Sequence, residues 1–165
     1  MQQEIKDYTE NELLPFWIKR TIDPQHGGFI THFDEFGNDA GDDEKSLIAQ
    51  TRSIFTYSQA YRHGFGGPIM LEMAQNGVKF LLDHMWDATH SGFYWMVDRS
   101  GNPLNKQKIG YGHSFVIYSL SEYTLASGDP IGLAYAEKVF ELLQKHAVDT
   151  YHGGYWEFFA EDWSL

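Results

Sequence analysis

Asp23-Pro24-Gln25-His26-Gly27-Gly28-Phe29 is the first of three related heptapeptides in this chain. The others are Asp87-Ala88-Thr89-His90-Ser91-Gly92-Phe93 and Asp149-Thr150-Tyr151-His152-Gly153-Gly154-Tyr155. They begin 64 and 62 residues apart. Three matches to Asp-x-x-His-[Gly/Ser]-Gly-[Phe/Tyr] at a nearly constant interval predict a repeat protein. The function is therefore sought where the repeats face one another.

Composition excludes several classes of partner and chemistry. The 165 residues are 42% hydrophobic and 16% aromatic, so the chain can bury a core. A net charge of −11 repels both a phosphate backbone and an anionic membrane surface, so we expect neither nucleic acid nor membrane as a partner. With no cysteine, disulfides and thiol chemistry are excluded. A polar start and no run of about 18 apolar residues predict a soluble, cytoplasmic protein.

Hydrophobic periodicity and capping signals predict five helices. The second and fourth are apolar around most of their circumference, which is typical of buried helices, whereas the third and fifth are amphipathic. Asp42 or Asp43 is the predicted N-cap of the second helix. Proline begins the third and fifth helices. The predicted spans are about 4–20, 43–62, 68–86, 108–125, and from 130 onwards.

Each repeat unit is predicted to contain an exposed helix, the motif loop and a buried helix. The units span about 1–63, 64–126 and 127–165. Alternating segments after the first two motifs, each followed by a Gly-Asn turn, predict short β-hairpin loops. Alternating outer and inner helices predict an all-α fold, an (α/α) toroid whose inner helices ring a pocket. By the period, a third buried helix would begin just past Leu165, so we expect about two and a half hairpins here.

The chain resembles the N-acylglucosamine 2-epimerase superfamily, which includes N-acylglucosamine 2-epimerases, cellobiose 2-epimerases and mannose-type isomerases. The residues that carry the resemblance run through nearly the whole chain. They are Leu14-Pro15-Phe16-Trp17 with the first heptapeptide, Lys45-Ser46-Leu47 with Gln50 and Arg52, Tyr111-Gly112-His113-Ser114-Phe115, Gly153-Gly154-Tyr155 with Glu157, and Asp162-Trp163.

The resemblance implies a barrel of six hairpins, and a proton transfer alpha to the carbonyl of an open-chain mono- or disaccharide. It also implies that the two histidines acting as general acid and base lie beyond residue 165. This chemistry requires no metal or organic cofactor. We therefore expect the N-terminal part of a sugar 2-epimerase or aldose–ketose isomerase that is inactive alone.

Arg52 is the main catalytic candidate. It lies on a polar stripe of the second helix, where a buried guanidinium is costly unless it is paired or binds a polar ligand. A fixed cation there would stabilise an enediolate oxygen, and the resemblance implies contact with that oxygen or with sugar hydroxyls. The alternative is a structural ion pair with a neighbouring helix.

Three further residues are candidates for substrate binding. Tyr111 and His113 point about 200° apart on a helix, so only one can face a pocket squarely. The resemblance favours Tyr111, with a core tyrosine as the alternative. His113 would titrate near neutrality, with a packing histidine as the alternative. Trp95 could stack on a sugar ring or pack between hairpins.

The repeated histidines do not predict a metal site. His26, His90 and His152 would lie at three positions around a ring, too far apart to share an ion, and are expected to cap helix C-termini.

Two other functional hypotheses stay open. One is a non-catalytic fragment that binds carbohydrate or associates with itself through exposed inner helices. The other is part of an (α/α)6 glycoside hydrolase, which needs two carboxylates beside one pocket; Glu157 and Glu161 are the acidic candidates.

Overall fold

The computed structural model describes residues 1–41 and 44–165, and these are mainly helical, as the sequence predicts. π-Helical turns at Thr9–Leu13 and Leu81–Met85 follow helices α1 and α4. Proline lies in the first turn of α2, α4 and α6. The helices are α1 (Gln2–Tyr8), α2 (Leu14–Thr21), α3 (Leu47–Arg62), α4 (Pro68–Phe80), α5 (Gly110–Ser127) and α6 (Pro130–His146).

Among the described residues, five short strands form two antiparallel sheets that join neighbouring repeats. In the first sheet β1 pairs with β2 and β2 with β3, and in the second β4 pairs with β5. The predicted hairpin after the second motif is present as β2 and β3, with an irregular register. After the first motif, the described part of the chain has an isolated bridge between Phe33 and Asp39. The strands are β1 (Glu44–Ser46), β2 (Met96–Asp98), β3 (Pro103–Asn105), β4 (Lys108–Ile109) and β5 (Phe158–Phe159).

Helix α3 begins four residues later than the sequence predicts. The N-cap predicted at Asp42 or Asp43 lies outside the described residues, but the observed N-cap is Ser46, whose Oγ accepts a hydrogen bond from the Ala49 N–H at 3.3 Å. Glu44 and Lys45, which precede Ser46, are extended because they pair with β2. Strand pairing therefore takes the place of the predicted first helical turn.

Replacing the cap should weaken the fold measurably. We expect Ser46→Ala to lower the free energy of unfolding by about 1 kcal/mol, since the N-terminal N–H groups of α3 would lose a side-chain acceptor. Urea unfolding followed by circular dichroism measures this. Ser121→Ala within α5 is the matched control and should change stability by less than about 0.5 kcal/mol. Equal effects of the two changes would contradict the assigned cap.

The core lies between the helices, with α3 packed against α4 and α5, and α5 against α6. Close approach requires glycine on α4: a side chain at Gly77 would lie 2.4 Å from Phe29 and 2.7 Å from Ile54. The expectation that α3 and α5 are buried nearly all round was wrong. Each buries one face, and Arg52, Tyr111 and Tyr118 are exposed on the other. Among the described helices, none has the length and apolarity needed to cross a bilayer.

Candidate active site

The three motif loops have the same backbone geometry. In each copy one aspartate oxygen accepts hydrogen bonds from the N–H groups two and three residues later, at 2.9–3.2 Å. The aspartate N–H donates to the carbonyl of the glycine that precedes the aromatic residue, at 2.8–3.1 Å. The last two residues before the aromatic position have positive φ, which explains the Gly/Ser-Gly pair. The motif is thus a turn built by aspartate.

The predicted capping role of His26, His90 and His152 is not seen in these contacts. Their N–H groups donate to the aspartates, and only His152 places its ring against the carboxylate, with 3.2 Å between Nδ1 and Asp149 Oδ2. The turn therefore needs the aspartate, and the described contacts give the histidine rings no capping role.

Buried lysines hold the first two turns. Lys45 Nζ donates to Asp23 Oδ2 at 3.0 Å, and Lys108 Nζ donates to Asp87 Oδ2 at 2.8 Å. All four side chains are at most 2% exposed. Burial would raise the pKa of Asp23, but hydrogen bonds from Lys45, Arg99 and the turn backbone outweigh it and lower that pKa to about 2. These carboxylates are charged and structural.

Sequence reasoning missed these pairs, although a signal was present. Lys45 follows the first aspartate by 22 residues and Lys108 follows the second by 21. The lysines therefore obey the same period as the motif. Each lysine lies on the short strand that precedes an inner helix, and from there its ammonium group reaches the aspartate of the turn.

His113 has the position in the second repeat that Gln50 has in the first. Gln50 Oε1 accepts a hydrogen bond from the Phe29 N–H, and His113 Nε2 accepts one from the Phe93 N–H, both at 2.9 Å. His113 Nδ1 donates to the Ile109 carbonyl at 2.8 Å. Burial lowers the His113 pKa to about 4. With both nitrogens bonded and no exposed surface, this side chain has the geometry of the packing alternative, and we leave it out of the proposed site.

An open groove of about 640 Å³ lies between α3 and α5. The Phe55 and Tyr118 rings stack across it, with centroids 4.0 Å apart and planes at 19°. The groove offers aromatic faces, three hydroxyl groups and one guanidinium. Its lining residues are Arg52, Phe55, Thr56, Ser114, Phe115 and Tyr118.

Arg52 is exposed on this groove, which corrects the expectation of a buried guanidinium. Among residues 1–41 and 44–165 its side chain makes no ion pair and no hydrogen bond, so the structural ion pair weighed from the sequence is not formed there. Arg52 also lines an adjoining cavity of about 520 Å³ beside Trp17 and Phe33. The guanidinium is therefore free to meet a polar ligand.

Tyr111 lies on the same open face. The residue is 49% exposed, and its ring packs edge-on against Phe115, with 4.9 Å between centroids. Tyr111 and Ser114 also line a third cavity of about 380 Å³, so Ser114 borders both this cavity and the groove. The fold thus brings Arg52 and Tyr111 to one continuous surface.

Trp95 is placed differently. A side chain at Gly112 would lie 3.0 Å from the Trp95 ring and 3.0 Å from Leu47, so the indole packs closely over the start of α5. The Trp95 carbonyl accepts a hydrogen bond from the Leu47 N–H at 2.9 Å. These contacts favour packing of Trp95 between hairpins over stacking on a sugar ring.

The model of the family N-acylglucosamine 2-epimerase (GlcNAc 2-epimerase) matches residues 28–165. This chain belongs to that family. It is 34% identical to a cellobiose 2-epimerase of Bacteroides fragilis over 99% of this chain, and 29% identical to a D-mannose isomerase of Marinomonas mediterranea over 91% of it. The solved structure of cellobiose 2-epimerase from Spirochaeta thermophila superposes with a TM-score of 0.92 at 40% identity, covering 99% of this chain.

The matched part is a minority of each relative. This chain covers 42% of the Bacteroides fragilis protein, 37% of the Marinomonas mediterranea protein and 40% of the Spirochaeta thermophila structure. The fold and family are thereby established for the chain, whereas the activities of these relatives belong to proteins more than twice as long.

Proposed function

We propose that this chain is the N-terminal part of a sugar 2-epimerase or aldose–ketose isomerase, and that it supplies the wall that holds the substrate. The observation that carries the proposal is the exposed Arg52 guanidinium, without a carboxylate partner among the described residues, beside the stacked Phe55 and Tyr118 rings. Aromatic faces suit the C–H faces of a sugar ring, and a guanidinium suits its oxygens. Charged hydrogen bonds of this kind contribute about 1.5–3 kcal/mol each.

In this proposal Arg52 acts on the intermediate. Removal of the proton alpha to the carbonyl of an open-chain sugar leaves negative charge on the former carbonyl oxygen. A cation fixed 3 Å or so from that oxygen stabilises the transition state without rearranging. Tyr111, on the same surface, would contact a sugar hydroxyl.

The proton transfer itself needs groups that this groove lacks. Among its described lining residues there is no histidine, aspartate or glutamate. We infer that the general acid and base are histidines supplied by the rest of the barrel, of which this chain forms about two and a half of six hairpins. The same proposal divides the chain into repeat units of about 1–63, 64–126 and 127–165. The proposed reaction uses no cofactor.

Other functions find less support. A glycoside hydrolase needs two carboxylates at one pocket, and the described lining of the 640 Å³ groove contains none. The exposed inner aromatics that would favour self-association also line the proposed sugar site.

A binding and exchange experiment tests the proposal. We expect mannose, N-acetylmannosamine or cellobiose to bind the purified chain weakly in ligand-observed NMR, with no deuterium incorporated at C2 in D2O. Arg52→Ala should weaken binding about tenfold or more, since a lost charged hydrogen bond exceeds the 1.4 kcal/mol of one decade.

The charge-matched control is Lys145→Ala on the exposed face of α6, which should leave sugar binding unchanged. Binding that is insensitive to Arg52→Ala would remove Arg52 from the site. Turnover by the chain alone, abolished by Arg52→Ala, would show instead that the acid and base lie within these residues.

A further inference from the structure

The third motif turn differs from the first two in what covers it. Phe29 and Phe93 are fully buried, whereas the equivalent Tyr155 is 60% exposed. A Cβ atom added to the glycine before Phe29 would lie 2.7 Å from its nearest neighbour, and one added to the glycine before Phe93 would lie 2.6 Å from its nearest neighbour. A Cβ atom added to Gly154 would have no described atom within 4 Å. The third turn is formed and uncovered.

Its carboxylate also lacks the partner that the other two have. Asp23 and Asp87 each accept a hydrogen bond from a buried lysine ammonium. Among the described residues, Asp149 Oδ2 contacts the His152 ring at 3.2 Å, and that ring is 71% exposed. An exposed imidazole thus lies where a buried ammonium lies in the other copies.

The third turn also has an unpaired backbone donor among the described residues, the Tyr155 N–H. The Phe29 and Phe93 N–H groups donate to Gln50 Oε1 and His113 Nε2. Within the described part of the chain, no acceptor is bonded to the Tyr155 N–H. The third turn therefore lacks both polar partners that the first two possess.

One kind of polypeptide segment supplies both partners. Lys45 and Gln50 are five residues apart, as are Lys108 and His113. In each case the lysine lies on a strand and the second residue on the first turns of the helix that follows. The two strands also pair with the next repeat, Lys45 opposite Val97 and Lys108 opposite Phe159.

We propose that the third turn is a docking site for a strand–helix segment that carries a lysine on the strand and a glutamine or histidine five residues later. The ammonium would bind Asp149, the second side chain would accept a hydrogen bond from the Tyr155 N–H, and the helix would cover Tyr155. The adjoining 380 Å³ cavity, lined in part by Phe140 and Trp156, gives that helix an apolar surface. Charge complementarity selects lysine, because a carboxylate shielded from water is stabilised by a cation.

A peptide of residues 105–127 of this chain is a suitable probe. It contains Lys108, His113 and the whole of α5, and it has no tryptophan, so tryptophan fluorescence reports on the intact chain alone. We expect saturable binding to the full chain. Asp149→Asn in the chain, and lysine→norleucine at position 108 of the peptide, should each weaken binding about tenfold or more, and the two together no further than either one.

Asparagine keeps the oxygen that accepts the turn's backbone hydrogen bonds, so the docking site should stay folded in Asp149→Asn. The matched controls are Glu137→Gln on the exposed face of α6 and norleucine in place of Lys106 in the peptide. Each is expected to change the affinity less than twofold. Absence of binding, or binding that all four changes affect equally, would overturn the proposal. None of these outcomes depends on sugar binding at Arg52.

Discussion

Lys108→Met should lower the free energy of unfolding by about 3–5 kcal/mol, because it leaves the Asp87 carboxylate buried and unpaired. Lys108 and Asp87 both have fully buried side chains, and the ammonium also lies 4.5 Å from the centre of the Tyr94 ring. The bulk of the lysine stem is retained by methionine, so lost packing contributes little. Urea unfolding at neutral pH measures the effect.

Two variants separate charge from packing. Lys106→Met removes a partly exposed ion pair with Glu161 and should change stability by less than about 1 kcal/mol. Adding Asp87→Asn to Lys108→Met removes the stranded charge while keeping an oxygen for the turn, and should recover much of the loss. If the double variant is as unstable as Lys108→Met alone, the stranded carboxylate is not the cause.

His113→Gln should make the fold less sensitive to acid between about pH 6.5 and pH 4. Burial lowers the pKa of His113 from 6.5 to about 4, so the unfolded chain takes up a proton at a pH where the folded chain does not. The stability that neutral His113 contributes is therefore fully present above pH 6.5 and is lost as the pH falls through 4. A shift of this size corresponds to about 3 kcal/mol.

The first repeat provides the replacement, since Gln50 already accepts the same backbone hydrogen bond without titrating. Unfolding free energies at pH 7, 5.5 and 4 measure the difference between the two proteins. Ser121→Ala is the control, because it removes no titratable group and should leave this slope unchanged. The paired carboxylates titrate lower, with the pKa of Asp23 at about 2, so they do not obscure the window. An unchanged slope in His113→Gln would contradict a neutral, buried imidazole.

Periodicity was sufficient to predict a mainly helical chain with a recurring turn. The spacing of the heptapeptides and the two proline helix starts gave the order of elements, and the motif is observed as three equivalent turns. Helix boundaries were less accurate where tertiary contacts compete with local preference. Glu44–Ser46 looks like a helix start in sequence but is a strand, because it pairs with Met96–Asp98.

The candidate site was predicted only in part. Arg52 could be assigned to a polar stripe, but an apolar circumference does not tell whether the other faces meet a helix or an open groove, so its burial was misjudged. His113 was ambiguous for another reason. Its role depends on the Phe93 N–H, twenty residues away, and a comparison of position 113 with Gln50 in the previous repeat would have indicated it.

The cross-repeat strands have a consequence for how this protein can be divided. β1 pairs with β2 and β4 with β5, and Arg99 binds both Asp23 and Asp39 of the preceding repeat. A cut after any one period therefore severs a sheet and leaves an inner strand without its neighbour. The sequence repeat is thus shorter than the smallest piece that retains its own contacts. Modules exchanged between family members should be longer than one period and should carry the next loop with them.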